Sequence, residues 1–137
     1  MINSEIHALR LQPGQDLKKE LESFVTRSRL RAGWILTCVG SLTQVHLRFA
    51  NQSTGTIRKG YFEIVSLVGT LCPEGVHLHL CVADEQGMTT GGHLLDNNLI
   101  YTTAEIVIGE TPSLEFKREE DASTGWRELV IRTLSNH

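Results

Sequence analysis

Cysteine is scarce and unpatterned in this chain. Cys38, Cys72 and Cys81 are odd in number and follow no framework spacing. That excludes a disulfide-stapled scaffold and points to reduced thiols in a cytoplasmic protein. Proline occurs only three times and aromatics make up only 6% of the residues. No apolar run approaches membrane-spanning length, so no membrane association is expected. The start, Met1 to His7, has neither a basic segment nor an apolar one, so no secretion leader is expected. An excess of basic charge is also missing. Thirteen Lys and Arg stand against sixteen Asp and Glu, for a net charge of −3. A broad nonspecific nucleic-acid surface would usually be basic. Arg27, Arg29 and Arg31, with Lys18 and Lys19, form the best local basic cluster, and helical geometry spreads them over a solvated face.

What is present suits one ordinary domain spanning 1–137, with 40% hydrophobic residues to build a core. Ile6 to Leu11 reads as a strand, and Pro13-Gly14 as a turn. Asp16 is placed to cap a helix running to about Ala32, ended by Gly33. Leu17, Leu21, Phe24 and Val25, with Ser28 at the edge, give that helix one apolar stripe. Trp34 to Val39 and Val45 to Phe49 read as two strands broken at Gly40-Ser41. Tyr61 to Val68 is a further strand, stopped by Gly69. A hairpin follows, then Leu99 to Ile108. Leu114 to Lys117 and Glu128 to Ile131 close the chain around a polar loop from Glu119 to Gly125. One principal helix and about eight strands define an α+β class, mainly antiparallel β-sheet. The many sheet edges favour oligomerisation.

The densest chemistry lies in Gly75-Val76-His77-Leu78-His79-Leu80-Cys81-Val82 and Gly91-Gly92-His93-Leu94. Alternation along a strand sends Val76, Leu78, Leu80 and Val82 to one face. His77, His79 and Cys81 then share the other. A three-residue loop, Glu85-Gln86-Gly87, with Gly87 left-handed, sets Asp84 opposite Met88. Counting back, His79 faces His93, Cys81 faces Gly91 and Leu80 faces Gly92. Opposed residues lie about 5 Å apart at Cβ, and His77 is one diagonal away at about 7 Å. A slip of one residue would turn His93 to the other face. Three converging imidazoles are a metal site with room for a further ligand. Zinc suits them best, although imidazoles also suit iron, copper or nickel. Cys81 reads as a small buried apolar residue rather than a fourth ligand.

A metal-assisted reaction would need an acid–base group. Glu63 and Glu105 are the candidates, since each interrupts an apolar or β-branched strand; the plainer reading is a solvent-facing position. Arg48 reads as a surface ion-pair partner or as a contact for an anionic ligand. Gly91-Gly92 lacks the strand-to-helix setting of a phosphate loop, so it reads as clearance beside the histidines. Trp34 and Trp126 read as core or subunit-interface anchors.

Several stretches together form a known pattern. They include Arg10-Leu11-Gln12-Pro13-Gly14-Gln15-Asp16-Leu17, Thr37-Cys38-Val39-Gly40-Ser41-Leu42 and Leu47-Arg48-Phe49-Ala50. Gly60 to Leu67, the histidine hairpin, Tyr101 to Ile108 and Thr124 to Leu129 continue it in order. The chain closely resembles the PPC domain, the plants-and-prokaryotes conserved domain. Asn97-Asn98 departs from it, standing where relatives usually carry glycine. The resemblance implies a homotrimeric α+β fold, similar to that of acetolactate decarboxylase, and implies that His77, His79 and His93 are the metal ligands. The reaction does not transfer with the fold. The family's DNA-binding label comes from plant members in which an AT-hook precedes the domain. An AT-hook needs a Gly-Arg-Pro core, and Pro13, Pro73 and Pro112 do not follow Arg. The reading is therefore a metal-binding protein acting on a small molecule, with a DNA- or protein-interaction module as the alternative.

Overall fold

The computed structural model describes residues 3–135. Met1, Ile2, Asn136 and His137, which the domain span and in part the leader reading include, lie outside the described residues. The chain runs β1 (Glu5–Leu11), α1 (Leu17–Ser28), β2 (Gly33–Arg48), β3 (Thr56–Cys72), β4 (Gly75–Ala83), β5 (Thr89–Leu94), β6 (Leu99–Glu110), β7 (Leu114–Asp121) and β8 (Trp126–Thr133). This is the expected α+β class, with one helix and antiparallel strands. No helix among the described residues is long and apolar enough to cross a membrane.

Six strands form one sheet in the order β1-β6-β2-β3-β4-β5, and β7 and β8 form a second, two-stranded sheet. The sheet closes partly on itself. Beyond Gln44, β2 leaves β6 and takes β5 instead, pairing Leu47 with Leu94 and Arg48 with His93. Strands β2 to β5 thus form a ring, and the histidine hairpin completes it.

Helix α1 covers the apolar side of the sheet with Leu17, Leu21, Phe24 and Val25, all buried. They pack into one cluster with Leu78, Leu80 and Val82 of β4 and Leu94 of β5. Each such side chain contributes roughly 1.5–3 kcal/mol by leaving water. Burial of one face of β4 therefore holds the histidine face outward. Asp16 caps α1, accepting from the backbone N–H of Lys18 at 3.1 Å and Lys19 at 3.2 Å. Its other carboxylate oxygen accepts from Asn97 N–H at 2.6 Å, tying the helix start to the turn after β5.

Several boundaries differ from expectation, the start of β3 at Thr56 rather than Tyr61 among them. The helix stops at Arg29, left-handed at φ 54°, where the N–H groups of Arg29 and Leu30 turn back to the carbonyls of Thr26 and Val25. Gly33 begins β2 instead. β2 continues through Gly40-Ser41 with bulges rather than a break. β3 runs through Gly69 to Cys72. There the missing side chain serves close approach, since a Cβ on Gly69 would lie 2.0 Å from the His77 carbonyl oxygen. β7 runs into the expected polar loop as far as Asp121, β8 starts at Trp126, and the two form a hairpin that folds back over the sheet.

Candidate metal centre

The hairpin register matches the expectation residue for residue. His79 pairs with His93, Leu80 with Gly92 and Cys81 with Gly91. Gly87 is left-handed at φ 78°. The Asp84 N–H donates to the Met88 carbonyl at 3.0 Å, and the Asp84 carboxylate accepts from Gln86 and Met88 N–H at 2.9 Å each. These bonds close the turn and leave the pairing little freedom to slip.

Three rings converge as a result. Their centroids lie 5.1 Å apart for His77 and His79, 5.3 Å for His77 and His93 and 5.8 Å for His79 and His93. Each ring offers a nitrogen, and the three nitrogens lie within 4.8 Å of one another. A tetrahedral ion with Zn–N bonds of about 2.0–2.1 Å places its ligand nitrogens roughly 3.4 Å apart. The donor set therefore fits such an ion after a small inward adjustment. Cys81 shares the strand face but contributes no atom to the cluster.

The electrostatics favour the neutral form of His77 and His93. Partial desolvation pushes His93 down to about 4, helped by the Arg48 guanidinium and the neighbouring imidazoles. His77 is lowered too, first by desolvation and then by Arg118 and His79. A neutral imidazole has the free lone pair that a metal requires.

Gly91 and Gly92 have a different purpose from the expected clearance. A Cβ on Gly92 would stand 2.7 Å from the Arg48 carbonyl oxygen, and one on Gly91 would face the Leu80 carbonyl at 3.1 Å. They let β5 fit between β4 and β2, and do not open space at the imidazoles.

A cleft of about 480 Å³ opens beside His77 and His93, lined also by Arg48, Glu74, Arg118, Trp126 and Glu128. Glu63 and Glu105, the expected acid–base candidates, are exposed and do not line it. Glu63 sits midway along β3, opposite Ala83 at the end of β4, and Glu105 on β6 opposite Val39 and Arg10. Glu74 and Glu128 are the carboxylates at the cleft. Glu74, in the β3–β4 turn, accepts from the Arg118 N–H at 2.6 Å, which chiefly holds its carboxyl below the usual value, with help from Lys117 and Arg127. Glu128 accepts from the Thr124 hydroxyl at 3.0 Å. Arg48 lies over the Trp126 ring at 5.2 Å.

Sequence reasoning missed Arg118 and Glu128. One signal existed: Leu114, Phe116 and Arg118 alternate on one face, so Arg118 occupies a position meant for burial. Nothing in the sequence shows that this hairpin reaches the histidines.

Fold and cluster together define a small antiparallel α+β protein with an open three-histidine constellation. Residues 3–112 match the Plants and Prokaryotes Conserved (PCC) domain, and the chain belongs to that family. It is 50% and 51% identical, over 131 and 130 residues, to bifunctional protein GlmU from two Synechococcus strains. The match covers 96% and 95% of this chain, which spans about a fifth (21%) of the length of those relatives. Among solved structures, a Salmonella hypothetical protein is 46% identical, with a TM-score of 0.94 over 97% of this chain and 96% of its own. A metal-containing protein from Archaeoglobus fulgidus shares the fold at 21% identity, with a TM-score of 0.79 over 95% of both chains.

Proposed function

We propose that this chain binds a divalent transition metal, zinc foremost, through His77, His79 and His93, and presents it to a small molecule in the adjoining cleft. The observation that carries this reading is the convergence of three ring nitrogens within 4.8 Å. The lowered affinity of His77 and His93 for protons supports it, as does the metal in the Archaeoglobus fulgidus relative. When bound, the ion supplies Lewis acidity to a carbonyl or acidifies a bound water. The chain's own residues hold the three nitrogens on a rigid hairpin, and β7–β8 walls one side of the cleft.

The assembly proposed is a homotrimer. Val39, Val65, Val68, Tyr61 and Tyr101 lie exposed on β2, β3 and β6, with the Tyr61 and Tyr101 rings 4.9 Å apart. An apolar band of this kind suits a subunit interface. Val68 pairs directly with His79, so the band reaches the edge of the site.

Elemental analysis of tag-free protein tests the metal, with His77→Ala and the triple alanine variant beside it. About one ion per chain in the wild type, lost in both variants without loss of fold, is expected. Equal metal content in all three would refute the assignment. Light scattering on the same samples tests the trimer, and a monomeric mass for metal-loaded wild type would refute that part.

A further inference from the structure

Arg118 is a charged side chain in a buried position, only 8% exposed. Its guanidinium donates to the Thr70 hydroxyl at 2.7 Å. Among the described residues no carboxylate forms an ion pair with it; the nearby Glu74 pairs instead with Lys117 at 3.9 Å and Arg127 at 4.0 Å. A buried cation without a counter-ion is costly unless something supplies the charge. Arg48 likewise has no carboxylate partner among the described residues. It stands opposite His93 on β2, stacks on Trp126 and donates to the Gln52 carbonyl at 3.5 Å.

Both guanidiniums line the cleft that holds His77 and His93. Three arginines and two glutamates line it altogether, a balance of 3 − 2 = +1 before any metal. A divalent ion on the histidines would add two more positive charges. We propose that this cleft takes a small molecule carrying a carboxylate or phosphate group, whose oxyanion is held by Arg118 and Arg48 beside the metal position. Planar guanidinium forks match either group. The identity of the anchors thus sets the substrate class for the site, and the proposal rests on the metal reading above. The chain segment responsible is notable. Arg118 and Trp126 come from β7–β8. The hairpin thus brings the anchoring arginine to the histidines of β4 and β5.

Calorimetric titration of the full chain tests this, with zinc-loaded and chelator-treated protein run in parallel. The probes are lactate, inorganic phosphate and, as the uncharged analogue of lactate, propane-1,2-diol. Lactate, phosphate or both should bind the loaded protein, and the diol should not. Lactate alone identifies a carboxylate site and phosphate alone a phosphate site. Arg118→Gln should weaken binding about 10–100-fold, the range for losing a charge-assisted hydrogen bond, while zinc content stays at the wild-type level. Arg48→Gln, at a half-exposed position, should do the same in a variant whose folding is not in question. No binding of either anion to loaded wild type, or equal binding by wild type and both variants, overturns the proposal. Arg118-dependent anion binding by a protein that takes no zinc would preserve the oxyanion site and sink the metal reading.

Discussion

Gly69→Ala should damage the histidine cluster without touching a histidine. The new Cβ would sit 2.0 Å from the His77 carbonyl oxygen and 2.9 Å from its carbon. Such contacts are essentially never shorter than 3.0 Å, so β3 and β4 must part by about 1 Å there. The obstacle is backbone on both sides, and no flexible side chain can give way. Gly69 also lies at φ 145°, where a side chain is disfavoured. Overpacking of this kind costs about 1–3 kcal/mol, which lowers the melting temperature by roughly 4–12 °C in a chain of this size. His77 should move with its carbonyl, and zinc affinity should drop about 10–100-fold, the range seen when a ligand's support is removed. Scanning fluorimetry on chelated protein reads the first effect, and competition with a chromogenic chelator reads the second. Gly87→Ala is the control. It is left-handed at φ 78° with nothing within 4 Å of its Cβ, so it should lose about 1–2 kcal/mol through strain alone and keep its zinc affinity. A Gly69→Ala protein that melts within about 1 °C of wild type and binds zinc equally would refute the reasoning.

Two further outcomes are expected. Asn98 is fully buried; its amide donates to the carbonyls of His46 at 3.0 Å and Leu95 at 2.7 Å, and its oxygen accepts from His46 N–H at 2.8 Å. Asn98→Leu should lower stability by about 2–4 kcal/mol in urea unfolding, and a cost under about 0.5 kcal/mol would show that this clasp is dispensable. The histidines also make metal-free protein acid-sensitive. His93 titrates near 4 when folded against an ordinary 6.5, so between these values the unfolded chain binds the extra proton. Stability from this source is complete above about pH 6.5 and falls as pH drops toward 4. The lowering of His77 acts in the same direction. Urea midpoints at pH 7 and pH 5 should therefore differ more for wild type than for His93→Gln, and equal differences would contradict the assignment.

The hairpin was legible because its cues are local and agree. Alternation divides β4 into an apolar and a histidine face, Gly87 permits the left-handed turn, and turn length then dictates which residues oppose. The departure at Asn97-Asn98 was legible only in part. Asn97 is left-handed at φ 72°, as asparagine tolerates, but the role of Asn98 as a buried clasp involves His46, 52 positions away. Long strands were undercalled for a physical reason. Gly40 and Gly69 look like breaks in isolation, whereas a neighbouring backbone approaches them so closely that only glycine fits.

By itself, then, the sequence determined the α+β class, the apolar stripe of α1 and the pairing that brings His79 against His93, since each depends on residues adjacent along the chain. Tertiary structure alone decided what surrounds the histidines. Closure of β5 onto β2 places Arg48 opposite His93, and the fold-back of β7–β8 brings Arg118 and Glu128 to the cleft. Such long-range contacts follow from packing many surfaces at once, and no periodicity in a single strand encodes them.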